Sequence, residues 1–379
     1  MLTPVVVIPY GDHVKVLGRT TPKFLVAKQE LYTMLQAWYE RDVDVPTGVV
    51  ALIGRELGIN LSGMTMRDAF VLRERSGYVY DVASWELNLL CNYRCPHCYL
   101  GERPNRSMNM EQRRVVIDRM VELGVMKLQI TGGEPLIDRN FAETYAAVYD
   151  QGIIATISTN GSRLYRKDVQ AVLRERPPLH VTVSLYGATA VSYEAMTRSS
   201  SGSFDRFLRG LQFTREAGIP LRVSIIVSKF NEHEIDAMKA LAAQYTEDWY
   251  LYDQMSATIY GGDDPLELQA DSSLRRPIET KKEFIGCEAG VRSFHVDPYG
   301  HASMCKVGRE VSVQLDKEPA YEMARLVQAS RLELRRSDEC AGCLSQVLCS
   351  TCPLIVRQYR QAQASPSIYC REASSRGGE

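Results

Sequence analysis

Ten cysteines are spread very unevenly over the 379 residues: none precedes Cys91, three fall within eight residues as Cys91, Cys95 and Cys98, and the other seven follow from Cys287 onward. In a reducing compartment such clusters point to metal or redox chemistry rather than disulfides. In CNYRCPHCYL the order is a cysteine, three residues, a cysteine, two residues and a cysteine. Three thiolates can bind three irons of a cubane cluster and leave the fourth iron open. The competing reading is a zinc knuckle, which needs a fourth ligand in closed tetrahedral geometry, and His97 is the nearest residue that qualifies.

Three further polar motifs follow at intervals: TGGEP at Thr131–Pro135, STNG at Ser158–Gly161 and SLYG at Ser184–Gly187, with Arg198 in the next loop. Each ends a short apolar run. Trp85–Leu90, Lys127–Thr131, Ile154–Ser158, His180–Leu185, Leu221–Val227 and Trp249–Tyr252 read as strands. Met110–Leu123, Phe141–Asp150, Ser203–Ala217 and Glu232–Tyr245 read as intervening helices, the first presenting Val115, Val116, Arg119, Met120 and Leu123 as its inner face. Alternating strands and helices of this kind give an α/β fold with a parallel sheet, here a partial (β/α)6 barrel of the TIM type, open on one side. Ligands gather at the carboxyl ends of such strands, where all the motifs fall. The glycines of TGGEP let backbone approach a ligand closely, and Glu134 can receive an ammonium; taken alone, each motif is equally a polar turn or helix cap.

The cysteine spacing, followed in order by GGE, STNG and SLYG at successive strand ends, resembles the radical S-adenosylmethionine (SAM) superfamily. The resemblance implies a [4Fe-4S] cluster on Cys91, Cys95 and Cys98 whose open iron is chelated by SAM, and reductive cleavage of SAM to a 5′-deoxyadenosyl radical. It implies SAM contacts from His97 beside the adenine, from Gly132, Gly133 and Glu134 to the amino group, and from Ser158, Asn160, Ser184 and Arg198 to the ribose and carboxylate. Tyr186 replaces the aspartate commoner in SLDG, so no acid role transfers there.

Cys287, Cys305, Cys340, Cys343, Cys349, Cys352 and Cys370 resemble the SPASM extension of these enzymes, which holds two auxiliary [4Fe-4S] clusters, although Cys349 and Cys352 are two residues apart where three is usual. The family's interleaving implies an inner cluster on Cys287, Cys305 and Cys352 and an outer one on Cys340, Cys343, Cys349 and Cys370. The domains expected are a small α+β unit at 1–80, the barrel at 81–260, a linker at 261–282 rich in Gly, Asp, Pro and Ser, and a SPASM domain at 283–379. In residues 1–80 the strands are Val5–Ile8 and His13–Leu17, with helices through Gln29–Tyr39, Val49–Leu57 and Met66–Arg75.

The balance of 45 Lys and Arg against 46 Asp and Glu leaves a net charge of -1 and no basic excess for nucleic acid. No signal peptide or membrane-length apolar run occurs, so a cytoplasmic protein is expected. SPASM relatives act mainly on peptides. The resemblance therefore implies a maturase of a ribosomally made peptide, forming a crosslink or thioether after hydrogen abstraction, with residues 1–80 as a winged-helix leader-binding element and flavodoxin or ferredoxin as electron donor. Maturation of a protein side chain to formylglycine, or oxidation of a small molecule, is the alternative; Lys306 stands where formylglycine-forming relatives have a basic Asp. Asp253, Asp297 and Tyr252 are the remaining candidates for a catalytic base. A third reading is a non-catalytic zinc-binding interaction protein.

Overall fold

A computed structural model describes residues 3–104, 107–262, 265–270, 287–334 and 352–370. The chain begins with β1 (Val5–Tyr10), whose Val5 to Ile8 are all buried because both of its faces are covered. Val5 and Val7 join a small core with Val14 and Val16 of β2 (His13–Gly18), while Val6 and Ile8 pack with Leu17 against Met126, Ile154 and Leu179. β3 (Phe24–Lys28) pairs with β2, and α1 (Gln29–Arg41), α2 (Thr47–Leu57) and α3 (Met66–Ala69) follow. The helix expected over Met66–Arg75 is a single turn, capped by Thr65 and followed by β4 (Phe70–Leu72), which runs parallel to β1. The four strands lie in the order β3-β2-β1-β4.

Six parallel strands form: β5 (Val82–Glu86), β6 (Lys127–Thr131), β7 (Ile154–Thr159), β8 (His180–Leu185), β9 (Leu221–Ile226) and β10 (Trp249–Tyr252). The last five lie within a residue of expectation, whereas β5 starts three residues before the expected Trp85–Leu90 and ends at Glu86, where the chain turns into the cysteine loop. Between them run α4 (Met110–Glu122), α5 (Phe141–Asp150), α6 (Lys167–Glu175), α7 (Ala190–Thr197), α8 (Ser203–Glu216) and α9 (Ile235–Ala243). Strand periodicity sorts the side chains. Leu128 and Ile130, Ile157, Val181 and Val183, and Val223 and Ile225 enter the main core, while the alternate Gln129, Ser158, Thr182, Ser184 and Ser224 line the barrel cavity. The inner face of α4 is rotated from expectation: Arg113, Val116, Ile117 and Met120 are buried, whereas Val115 is exposed. Arg113 is accommodated because its guanidinium forks onto Asp138 (2.8 and 3.0 Å) and also bonds the Leu87 carbonyl.

The sheet does not stop at β5. β11 (Ser293–Val296) pairs parallel to it, and β12 (His301–Ser303) and β13 (Ser312–Gln314) continue antiparallel. The nine-stranded order β10-β9-β8-β7-β6-β5-β11-β12-β13 therefore carries the C-terminal region as an extension of the barrel sheet, and its open edge is β10. Met126, Ile154 and Leu179, the docking surface for β1, lie at the amino ends of β6, β7 and β8. The small domain thus caps the base of the barrel, at the opposite end of the strands from the motif loops. No helix among the described residues is long and apolar enough to cross a membrane.

Candidate functional site

The loop after β5 carries Cys91, Cys95 and Cys98, and all three thiols line one cavity of ≈ 340 Å³ inside the barrel. A tight turn brings the Cys98 N–H to the Cys95 carbonyl at 3.2 Å, and the Arg94 N–H bonds the Thr197 carbonyl at 3.0 Å, tying the loop to the end of α7. Burial, with Glu134 adding, pushes the Cys91 thiol up to about 11; burial and the neighbouring thiols push Cys95 well above its usual value. Among the described residues no three His, Cys, Asp or Glu side chains converge on a point where one ion would sit. A larger cleft of ≈ 710 Å³ opens beside Asn88 and Asp138 but is lined by none of the described cysteines.

The glycine turn after β6 rests directly on the cysteine loop. The Gly133 N–H donates to the Asn88 carbonyl at 2.9 Å and the Glu134 N–H to the Leu90 carbonyl at 2.8 Å. A Cβ at Gly133 would lie 2.2 Å from the Leu90 carbonyl oxygen, and one at Gly132, whose φ is +142°, would lie 2.4 Å from that of Asn88. Both glycines also line the cavity, but their close approach is to the cysteine loop. Glu134 behaves differently from the expectation of an ammonium receiver. Its carboxylate is fully buried and filled by protein donors: Leu136 N–H at 2.9 Å and Thr159 hydroxyl at 2.7 Å on Oε1, and Asn160 N–H at 2.7 Å on Oε2. The side chain clamps the GGEP turn to the STNG loop, and the Asn160 amide in turn reaches Cys91 Sγ at 3.6 Å and Asn92 at 3.2 Å.

Ser158, Asn160 and Ser184 all face the cavity, as does His97, whose ring lies 5.3 Å from that of Tyr186. Burial pulls His97 down to about 4, so the ring is neutral, and its buried Nδ1 has no hydrogen-bond partner in the protein. The two rings touch each other, so an adenine in the cavity would pack against this pair rather than between its members. Arg198 is not brought to the site: it is exposed, caps α7 in the left-handed region at φ 47° and does not line the cavity. Of the base candidates only Tyr252 lines it. Asp297 instead shapes the turn between β11 and β12, accepting from Tyr299 N–H at 2.8 Å and His301 N–H at 3.0 Å, and Asp253 lies outside the lining. Gln129, Arg103 and Lys306 line the cavity without having been singled out as ligands from sequence. For Gln129 the signal was present, as a polar residue between two buried apolar neighbours in a strand.

Residues 86–242 match the Radical SAM superfamily. This stretch is a radical SAM domain. The chain is 34% identical over 167 residues to the mycofactocin maturase MftC of Mycolicibacterium smegmatis, covering 43% of this chain and 41% of that protein. It is 30% identical over 160 residues to the Fe-coproporphyrin III synthase of Methanosarcina barkeri, covering 41% and 39%. The chain thus spans about two fifths of the length of these curated relatives. In three dimensions it matches Streptococcus suis SuiB bound to precursor peptide SuiA over 98% of both chains, with a TM-score of 0.65 at 13% identity, so the likeness is one of fold. The thiols, the double-glycine turn and the paired rings of the radical SAM domain fit a three-cysteine cluster and SAM.

Beyond the radical SAM domain, Cys287, Cys305 and Cys352 come together. The latter two pack around Ala289, Met304 and Leu354, and all three thiols interact electrostatically. Cys305 Sγ accepts from the Gly308 N–H at 3.2 Å, and Cys352 heads the helix Pro353–Gln361. Cys370 follows a short helical turn, while Cys340, Cys343 and Cys349, and most of the expected linker 261–282, lie outside the described residues. Glu86, at the end of β5, joins the two regions: Arg309 forks onto it at 2.9 and 3.1 Å, Tyr260 donates at 3.2 Å, and His295 faces it at 3.5 Å. Burial alone would raise the Glu86 carboxyl, but His295 and Arg309 outweigh it and hold it at about 2.

Proposed function

We propose that this protein is a radical SAM enzyme that modifies a ribosomally made precursor peptide by hydrogen abstraction, making a crosslink or thioether. The observation that carries the reading is the convergence of Cys91, Cys95, Cys98 and the Gly132–Gly133 turn of the radical SAM domain on one cavity. A cluster and SAM held there supply a 5′-deoxyadenosyl radical. The protein's part is to pack His97 and Tyr186 against SAM, to present backbone at the glycine turn, and to admit a side chain past Tyr250 and Tyr252 at the open edge of the barrel. Two auxiliary clusters on the C-terminal cysteines and an electron donor such as flavodoxin or ferredoxin complete the reading, in the cytoplasm.

Support for a peptide comes from the N-terminal unit. β3 is a sheet edge with Phe24 and Val26 about half exposed, suited to receive a leader as an added strand, and the fold likeness to SuiB extends over this unit as well. A small-molecule substrate is the second reading, favoured by the similarity to the porphyrin-named relative. Anaerobically reconstituted protein given SAM and dithionite should form 5′-deoxyadenosine, and Cys91→Ala should not; comparable product from that variant would overturn the assignment. Precursor peptides encoded beside the gene, analysed by mass spectrometry after the reaction, then separate a peptide from a small-molecule substrate.

A further inference from the structure

Among the described residues lining the cavity there is no Asp or Glu, and there are two cationic side chains, Arg103 and Lys306. Arg103 belongs to the cysteine loop itself and donates to the Tyr93 carbonyl at 3.1 Å. Lys306 enters from the C-terminal region, immediately after Cys305. Its ammonium lies 3.3 Å from the Gln129 side-chain oxygen. That amide is fixed, because its nitrogen donates to Ser158 Oγ at 2.8 Å, which turns the oxygen toward Lys306. Among the described residues no carboxylate comes within 4.0 Å of the ammonium: Glu86 is taken by Arg309 and Tyr260. An ammonium carries three donors, and Glu86 acts on this one only electrostatically, from beyond hydrogen-bonding reach. The wall thus presents a cation whose remaining donors are open to an anion in the cavity.

We propose that Lys306 binds a carboxylate of the substrate, an Asp or Glu side chain or a free C-terminus, close to the residue that is modified. This rests on the peptide reading above and adds to it the charge that the peptide must bring. The same chemistry is present in the SAM carboxylate, and the test below separates the two sources.

The test uses SAM-loaded, anaerobically reconstituted enzyme and two synthetic pools of randomised hexapeptides, one amidated and one with a free C-terminus, with retained peptides identified by mass spectrometry. The wild type should enrich Asp, Glu or the free C-terminus about tenfold, the worth of one charge-assisted hydrogen bond. Lys306→Arg should keep that preference and Lys306→Glu should reverse it toward Lys and Arg. Identical charge composition in the wild-type and Lys306→Glu pools would overturn the proposal. So would a roughly tenfold fall in SAM affinity of Lys306→Met, measured by equilibrium dialysis, with an unchanged pool composition, since the cation would then belong to the cofactor. Retention of no peptide by a wild-type enzyme that still makes 5′-deoxyadenosine would overturn this proposal, and modification of the precursor peptide by the same enzyme would show that the peptide reading stands without it.

Discussion

The Glu134 carboxylate and the Asn160 backbone N–H, separated in sequence by a whole helix and strand, meet at 2.7 Å and lock the second and third strand-end loops together. Both loops touch the cysteine loop, so this one contact helps to fix three of the segments that surround the site. Glu134→Gln would turn an amide donor toward N–H and O–H donors that now share a carboxylate. Leaving one such buried group unsatisfied costs about 1–3 kcal/mol. The expected result is a lowered unfolding midpoint and reduced iron loading. A loss of SAM affinity at an unchanged midpoint would instead assign the carboxylate to the cofactor.

Much of this arrangement was legible because strands announce themselves by alternation. Lys127–Thr131, His180–Leu185 and Trp249–Tyr252 begin and end where the sequence pattern places them. What escaped depended on distant partners. Met66, Ala69, Phe70 and Arg73 have helical spacing, yet Phe70–Leu72 pairs with β1, a choice that local periodicity does not contain. β11 to β13 are three or four residues each and exist as strands through the exposed side of β5. The partners of Glu134 were hidden because GGE gives no sign of which way the carboxylate turns; the hydrogen bonds to Thr159 and Asn160 show it.

Glu86 should make the acid stability of the protein distinctive. Its carboxyl is lowered in the folded chain from the usual 4.5 to about 2, so its contribution is fully present above pH ~4.5 and is lost as pH falls toward 2. The shift corresponds to about 3 kcal/mol. Glu86→Gln should flatten the stability profile across that window. At neutral pH it should cost about 3–5 kcal/mol, because Arg309 is left buried without its counter-charge. Urea unfolding midpoints from pH 2 to pH 7 measure both effects, and a profile parallel to wild type would refute the assignment.

The N-terminal unit calls for side-chain substitution rather than deletion. Removing it would uncover Met126, Ile154 and Leu179 and discard the bonds of Arg73 to the Val121 and Val125 carbonyls, so the barrel would suffer along with recognition. Phe24→Lys with Val26→Lys alters only exposed positions on β3, leaving Leu25 and Ala27 in the small core. Peptide affinity should fall at least about tenfold, with little change in unfolding midpoint. Unchanged affinity for the precursor would place the leader elsewhere.

Cysteine arithmetic supplies the last prediction. The two proposed auxiliary cubanes would present eight iron positions, and seven cysteines follow Cys98, so one position would lack a thiolate. By the family's interleaving that vacancy would fall on the proposed cluster of Cys287, Cys305 and Cys352. His295 and His301 are the nearest imidazoles in sequence. His295 is buried in β11 with Nδ1 on Ser84 Oγ at 2.7 Å and Nε2 facing Glu86; His301 has Nδ1 on Asp297 at 3.1 Å, which leaves its Nε2 as the nitrogen that could bind iron. The prediction is that the position stays open to substrate. Reconstituted wild type should therefore hold about twelve irons, and Cys305→Ala about eight. His301→Ala, at a half-exposed ring, should leave both the count and the auxiliary spectrum as in wild type. If the open iron receives substrate, adding the precursor peptide should perturb the auxiliary signal by electron paramagnetic resonance and leave the signal of the Cys91, Cys95 and Cys98 cluster as it was. A change of the auxiliary spectrum in His301→Ala without peptide would make that imidazole the fourth ligand and close the site.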